Sequence, residues 1–168
     1  EDFEAYSALV KYSVPLGAGE LKASFTFYDA TWAPTEQIPE RAIGTPLCAD
    51  AYCTLDPTQT GRTEREILTI GYQSDEWKIT GYLQHYDWSL ISNFTFLLED
   101  PVNGDQLRQY DKRWTYGGRI ERTFAVSEPF SLRVGAEMRE DSQPRVGLDE
   151  TIDGVKEFTV GAFDVKES

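Results

Sequence analysis

Cys48 and Cys53 are the chain's two cysteines, and only Ala49, Asp50, Ala51 and Tyr52 separate them. Thiols at that spacing can close a local disulfide in an oxidising compartment, stay free, or give two ligands to a metal ion. A metal centre needs further donors. The single histidine, His85, stands far along the chain on an expected strand, so packing or an interfacial position suits it better than ligation. The leading expectation is a disulfide stapling a Pro-rich loop, with no metal.

Other candidate chemistry is sparse. Asp100, Asn103 and Asp105 around Gly104 resemble a calcium loop in outline but lack the full ligand spacing and the closing bidentate Glu, so a turn is expected. Glu140, Asp141, Asp149, Glu150 and Asp153 gather acidic charge that a solvated loop would carry in water. Asn93-Phe94-Thr95 matches a glycosylation sequon and reads as a chance match. No nucleophile motif, zinc-protease motif or phosphate loop occurs, and no enzyme activity or cofactor is expected.

The elements that must position these residues are strands. Leu21, Ala23, Phe25 and Phe27 alternate with Lys22, Ser24, Thr26 and Tyr28, which is the period of a strand with one apolar face. Phe130, Leu132, Val134, Ala136 and Met138 repeat the pattern, as do Trp77, Ile79, Gly81 and Leu83. Weaker copies run through Tyr6 to Val14, Leu68 to Tyr72, Trp114 to Phe124 and Phe158 to Ala162. No long stretch has helical periodicity. The expected fold is all-β, an antiparallel meander of about seven long strands. Gly117-Gly118 within a strand signals close packing or a bend.

Connections add a second pattern. Pro15 to Gly19, Gln73 to Glu76 and Val126 to Pro129 read as short turns. Ala33 to Arg62, Leu90 to Asp111 and Glu140 to Gly154 read as long polar loops. Strict alternation of short and long connections is uncommon in compact soluble domains and regular in outer-membrane barrels, with short periplasmic turns and long extracellular loops. Phe25 and Phe27, with Tyr28 and Trp32 beyond, would supply an aromatic girdle.

Composition agrees with an ordered chain. Aromatic residues make up 13% of it, too many for a disordered polymer this charged. The formal net charge of −13, from 16 Lys+Arg and 29 Asp+Glu, argues against a nucleic-acid partner. No window approaches the apolar length of a membrane helix, and no signal peptide opens the chain.

Two segments carry a family resemblance. One is Ala30 to Ala42 (ATWAPTEQIPERA) followed by Leu55-Asp56-Pro57-Thr58 and Gly61. The other is Ser92 to Gln106 (SNFTFLLEDPVNGDQ). Both are similar to successive extracellular loops of TonB-dependent outer-membrane receptors. Val146-Gly147-Leu148 and the closing Asp164 to Ser168 add to the likeness. The resemblance implies a barrel of 22 strands with an N-terminal plug, importing a scarce nutrient such as a siderophore-like metal chelate or cobalamin with energy passed through TonB. Residues 1–168 would then be part of the β-barrel domain, with plug and remaining strands absent. The implied partners are outer-membrane lipid, the nutrient, and the TonB complex through that absent plug.

Within this frame the expected nutrient contacts are lumen-facing or loop residues: Trp32, Glu36, Gln37, Arg41, Tyr86, Trp88 and Arg113. Aromatic rings give stacking surface, and Arg gives forked donors to carboxylate or catecholate oxygens. Two other classes compete. One is a different outer-membrane barrel, such as a porin-like channel with a polar open lumen. The other is a soluble secreted β-barrel or sandwich that binds a ligand and folds its apolar faces together in a core.

Overall fold

The computed structural model describes residues 2–34 and 37–167. Seven antiparallel strands form one open sheet in chain order: β1 (Phe3–Leu16), β2 (Gly19–Trp32), β3 (Thr60–Gln73), β4 (Trp77–Ser92), β5 (Leu107–Ser127), β6 (Phe130–Ile152) and β7 (Val155–Glu167). The one helical piece among the described residues is a 3-10 turn, Glu40–Ala42. Every pairing joins neighbours in sequence, so the sheet is a pure meander.

The expected loop at Glu140 to Gly154 is instead the upper part of β6 and a tight turn into β7. Asp153 (φ 50°) and Gly154 (φ 78°) both adopt the left-handed conformation that a two-residue hairpin of the Asp-Gly kind requires. Polar composition hid this strand. Its alternation breaks where register shifts fall between Gln143 and Val146 and between Leu148 and Asp149. The other two loops hold, trimmed to residues 33–59 and 93–106.

Register assigns the two faces of the sheet. Val10, Phe25, Leu68, Leu83 and Tyr116 lie opposite one another across β1 to β5, and their row ends at Glu140 on β6. Alternation extends this face through Tyr12, Leu21, Ile70, Ile79, Ile120, Leu132, Val134 and Met138. The apolar band therefore runs obliquely to the rows. It is centred near Phe25 on β2 yet lies nearer the turn on β6. Toward the loop end the same face turns charged, with Asp29, Arg62, Glu64, Asp87 and Lys112. Phe27 and Trp114 sit at that boundary, whereas Tyr28 and Trp32 belong to the other face and do not join the expected girdle.

The second face is polar. One row reads Lys11, Ser24, Thr69, Tyr82, Gly117, Arg139. Ion pairs lie along it, among them Lys22 with Glu20 (2.8 Å), Arg119 with Glu121 (2.9 Å) and Arg139 with Asp141 (2.6 Å). A concavity near the turn end of β1 to β4 is lined by Lys11, Ser13, Lys22, Thr69, Lys78 and Thr80 of this face, together with Tyr72 and Ile79.

Among the described residues no apolar core joins the faces. The buried hydrophobic residues are Ala30, Cys48, Phe96 and Tyr110, whereas Leu132, Val134 and Met138 are more than half exposed. Side-chain order comes instead from aromatic rings laid over glycines on the neighbouring strand: Trp32 over Gly61, Tyr82 over Gly117, and Tyr110 over Gly147. A Cβ at Gly117 would come within 2.6 Å of the Tyr82 hydroxyl and 2.5 Å of the Met138 carbonyl, which is why glycine stands there.

Candidate functional site

The polar face at the loop end gathers most of the expected contact residues. Tyr86 on β4 lies directly opposite Arg113 on β5, and the Arg113 guanidinium sits 5.6 Å from the centre of its ring. Asp111 holds the other side of that guanidinium by a close ion pair. The row continues across β3 and β2 through Arg65 and Tyr28, which sequence reasoning did not select. Their parity in strand alternation was the available signal, since both fall on the face of Tyr86. Arg65 is exposed and has no ion pair among the described residues. Tyr28, Arg65, Tyr86 and Arg113 thus form an alternating ladder of phenols and guanidiniums, suited to an anionic or catechol-bearing ligand.

Trp88 occupies the next row, opposite Asp111, and Trp32 the row beyond, over Gly61. Both share the polar face with the ladder. Gln37 and Arg41 stand apart, in the β2–β3 loop; both are exposed, and Arg41 Nη2 donates to the Thr95 carbonyl (3.0 Å) across the loops. Glu36 lies outside the described residues.

A buried polar knot holds the connections above this face. Gln106 Nε2 donates to Asp56 Oδ2 (2.8 Å) and Thr58 Oγ1 (2.7 Å) in the β2–β3 loop. Its Oε1 accepts from Thr151 Oγ1 (2.8 Å) and the Gly154 N–H (2.8 Å) at the β6–β7 turn. Asn93 also donates to Asp56 Oδ2 (3.0 Å). Gln106, at 2% exposure, therefore ties three connections together. Burial would raise the Asp56 pKa, but the bonds from Thr58, Asn93 and Gln106 outweigh it and hold the carboxyl below its ordinary value.

Asp105 organises the second loop. Its carboxylate accepts from the N–H groups of Leu98, Glu99 and Asp100 and from Thr95 Oγ1 (2.7 Å). Desolvation opposes the charge, and these donors more than offset it, so this pKa too is lowered. Asp100 in turn accepts from the N–H groups of Val102 and Asn103. This is the turn the sequence implied at Asp100–Asp105: its carboxylates are spent on backbone donors. Cys48 and Cys53 are joined as a disulfide, Cα–Cα 5.4 Å, closing the tip of the first loop.

One trio of side chains is spaced for a cation. Donor atoms of Glu64, Glu66 and His85 lie within 4.8 Å of one another on the apolar-side face, just beyond the band. His85 Nδ1 stands 3.5 Å from Glu66, its ring packs 4.4 Å from Trp114, and Arg62 already holds Glu64 (2.9 Å). Neighbouring positive charge makes this trio an ion-pair network first.

Comparison with protein-family models, curated proteins and solved structures returned no match for this chain.

Proposed function

We propose that this chain is a stretch of the wall of an outer-membrane β-barrel, in a receptor of the TonB-dependent type that takes up a small nutrient. The observation that carries the reading is the apolar band. It covers one face of a single-layer sheet, has no protein layer against it among the described residues, and ends where charged residues begin. In water such a face must pack against a second layer. In a bilayer it is satisfied by lipid, with polar residues turned to a lumen. The oblique path of the band fits strands tilted to the membrane normal, as barrel closure requires.

In this reading the polar face lines the lumen and the tied loops stand on the outer side. The ladder of Tyr28, Arg65, Tyr86 and Arg113, with Trp32 and Trp88 above it, is the part of the nutrient path this chain contributes. Arg65 and Arg113 take acidic oxygens of the ligand, and the rings take its planar parts. A porin-like channel is the second reading, favoured by the alternating ion pairs on the same polar face.

The test is purification of the full chain with and without detergent, followed by binding of a catecholate iron chelate. Detergent dependence with saturable binding, weakened about tenfold by Arg65→Gln, supports a receptor. Detergent dependence without binding favours the channel. A folded monomer that needs no detergent overturns both.

A further inference from the structure

Two arginines on the apolar-side face make no ion pair among the described residues, in a chain where acids outnumber bases by 29 to 16. Arg108 on β5 and Arg145 on β6 both crowd Tyr110, their guanidinium carbons 5.3 Å and 4.7 Å from its ring centre. The ring itself is pinned: it lies over Gly147, and its hydroxyl reaches toward Asp149 (3.5 Å). Neither guanidinium has an ion pair among the described residues, and Arg108 Nε is buried without a hydrogen-bond partner. Asp149, directly opposite Arg108, is fully buried; its Oδ1 holds Lys156 (3.3 Å) and Thr159 (3.0 Å), while its Oδ2 is buried without a hydrogen-bond partner and makes no ion pair with Arg108. Arg145 also lies directly opposite Lys112, an arrangement of like charges that costs stability unless an anion sits between them. Among the described residues Asp87 is the one acid paired with Lys112 (3.2 Å).

Height along the strand says which anion. Trp114 marks the upper edge of the apolar band, and Lys112 and Tyr110 follow on the same face. At about 3.3 Å per residue and a tilt near 40°, they stand roughly 5 and 10 Å above the band. That is the level of lipid headgroups.

We propose that Arg108, Lys112 and Arg145, organised by the Tyr110 ring, bind the phosphate of a membrane lipid. The inference rests on the barrel reading above. Phosphate oxygens would receive the forked donors of the two arginines and the ammonium of Lys112, while the acyl chains lie against Trp114 and the band below.

The experiment is native mass spectrometry of the full chain in neutral detergent. The probes are dioleoyl phosphatidic acid, dioleoylglycerol (the same tails without phosphate) and inorganic phosphate. Phosphatidic acid should bind at least about tenfold more tightly than either other probe. Arg108→Gln with Arg145→Gln should remove that preference, and Arg145→Gln alone, at an exposed position, should reduce it should the double variant fail to fold. Arg119→Gln, the same charge loss on the polar face, should leave it within about twofold. Equal binding of dioleoylglycerol, or a preference unchanged in the variants, overturns the site. Equal binding of inorganic phosphate overturns the lipid assignment. A chain that needs no detergent sinks the barrel reading itself, whereas a detergent-dependent chain indifferent to phosphate sinks this inference alone.

Discussion

Arginine placed along β6 gives the most direct test of which medium the apolar face meets. Phe130, Leu132, Val134, Ala136 and Met138 project from the same side of one strand, with Val134 central. From first to last they span roughly 26 Å along the chain, or about 20 Å of height at a tilt near 40°. In a bilayer, Val134→Arg should cost about 2–4 kcal/mol and Phe130→Arg or Met138→Arg about 0–1 kcal/mol, giving a bell-shaped profile. At the centre that is a factor of roughly 30 to 1,000 in the folding equilibrium. The native strand supplies its own control. Arg133, Glu137 and Arg139 alternate with these positions at the same depths, so charge is tolerated on the polar face.

The assay is equilibrium urea titration of the full chain folding into lipid vesicles, read by tryptophan emission and protease protection. Two other outcomes are physically distinct. A face left in water would tolerate all five arginines within about 0.5 kcal/mol, as exposed positions do. A face covered by a second protein layer would lose burial and gain an unpaired charge at every position, with no dependence on height. A flat profile at either level refutes the membrane assignment.

Four further outcomes follow from particular contacts. Gly117→Ala should destabilise the sheet by about 1–3 kcal/mol, and Tyr82→Ala in that background should restore only part of it, since the Met138 carbonyl still blocks the new methyl; urea midpoints decide. Gln106→Ala should strip hydrogen-exchange protection from the β2–β3 loop and the β6–β7 turn together while the central strands keep theirs, because one side chain bonds both. Asp105 has a lowered pKa in the folded loop, so its contribution is complete above its ordinary pKa of 3.8 and fades as pH falls below about 4; exchange protection at Leu98 to Asp100 should fall there, and Asp105→Asn should show that loss already at neutral pH. Replacing Cys48 and Cys53 with Ala should loosen the first loop by about 2 kcal/mol, from the short ring the disulfide closes, and leave the sheet's urea midpoint unchanged.

Strand periodicity made most of the sheet legible, because each residue from Leu21 to Tyr28 or Phe130 to Arg139 declares its face by parity alone. The same rule failed over Glu140 to Gly154. There β6 has risen beyond the apolar band and bulges shift its register, so neither face is apolar and alternation vanishes. Asp153-Gly154 was the remaining local sign of a hairpin, and it outweighs composition because it states what the backbone must do. His85 shows a related limit. Packing or an interfacial position was expected for it on a strand, and β4 does place it at the edge of the band against Trp114, but the partner ring comes from β5 and could not be read locally.

The candidate site was legible residue by residue but not as a set. Tyr86 and Arg113 could be chosen for their chemistry, yet register alone shows that they face each other and that Arg65 and Tyr28 continue their row. Register is a long-range property, fixed by which residues oppose which across strands that loops of very different length connect. Glycine is where it leaves a trace in the sequence. Gly61, Gly117 and Gly147 each stand opposite a large ring, and each would clash with that ring if it carried a Cβ. A one-residue slip would set those rings against side chains and turn Leu132, Val134 and Met138 to the polar side. The aromatic–glycine pairs therefore lock the register that gathers the guanidiniums of Arg65 and Arg113 on one face and those of Arg108 and Arg145 on the other. Loosening one pair, as Gly61→Ala would by displacing Trp32, should weaken ligand binding at the loop end while the lipid-phosphate preference at Tyr110 persists.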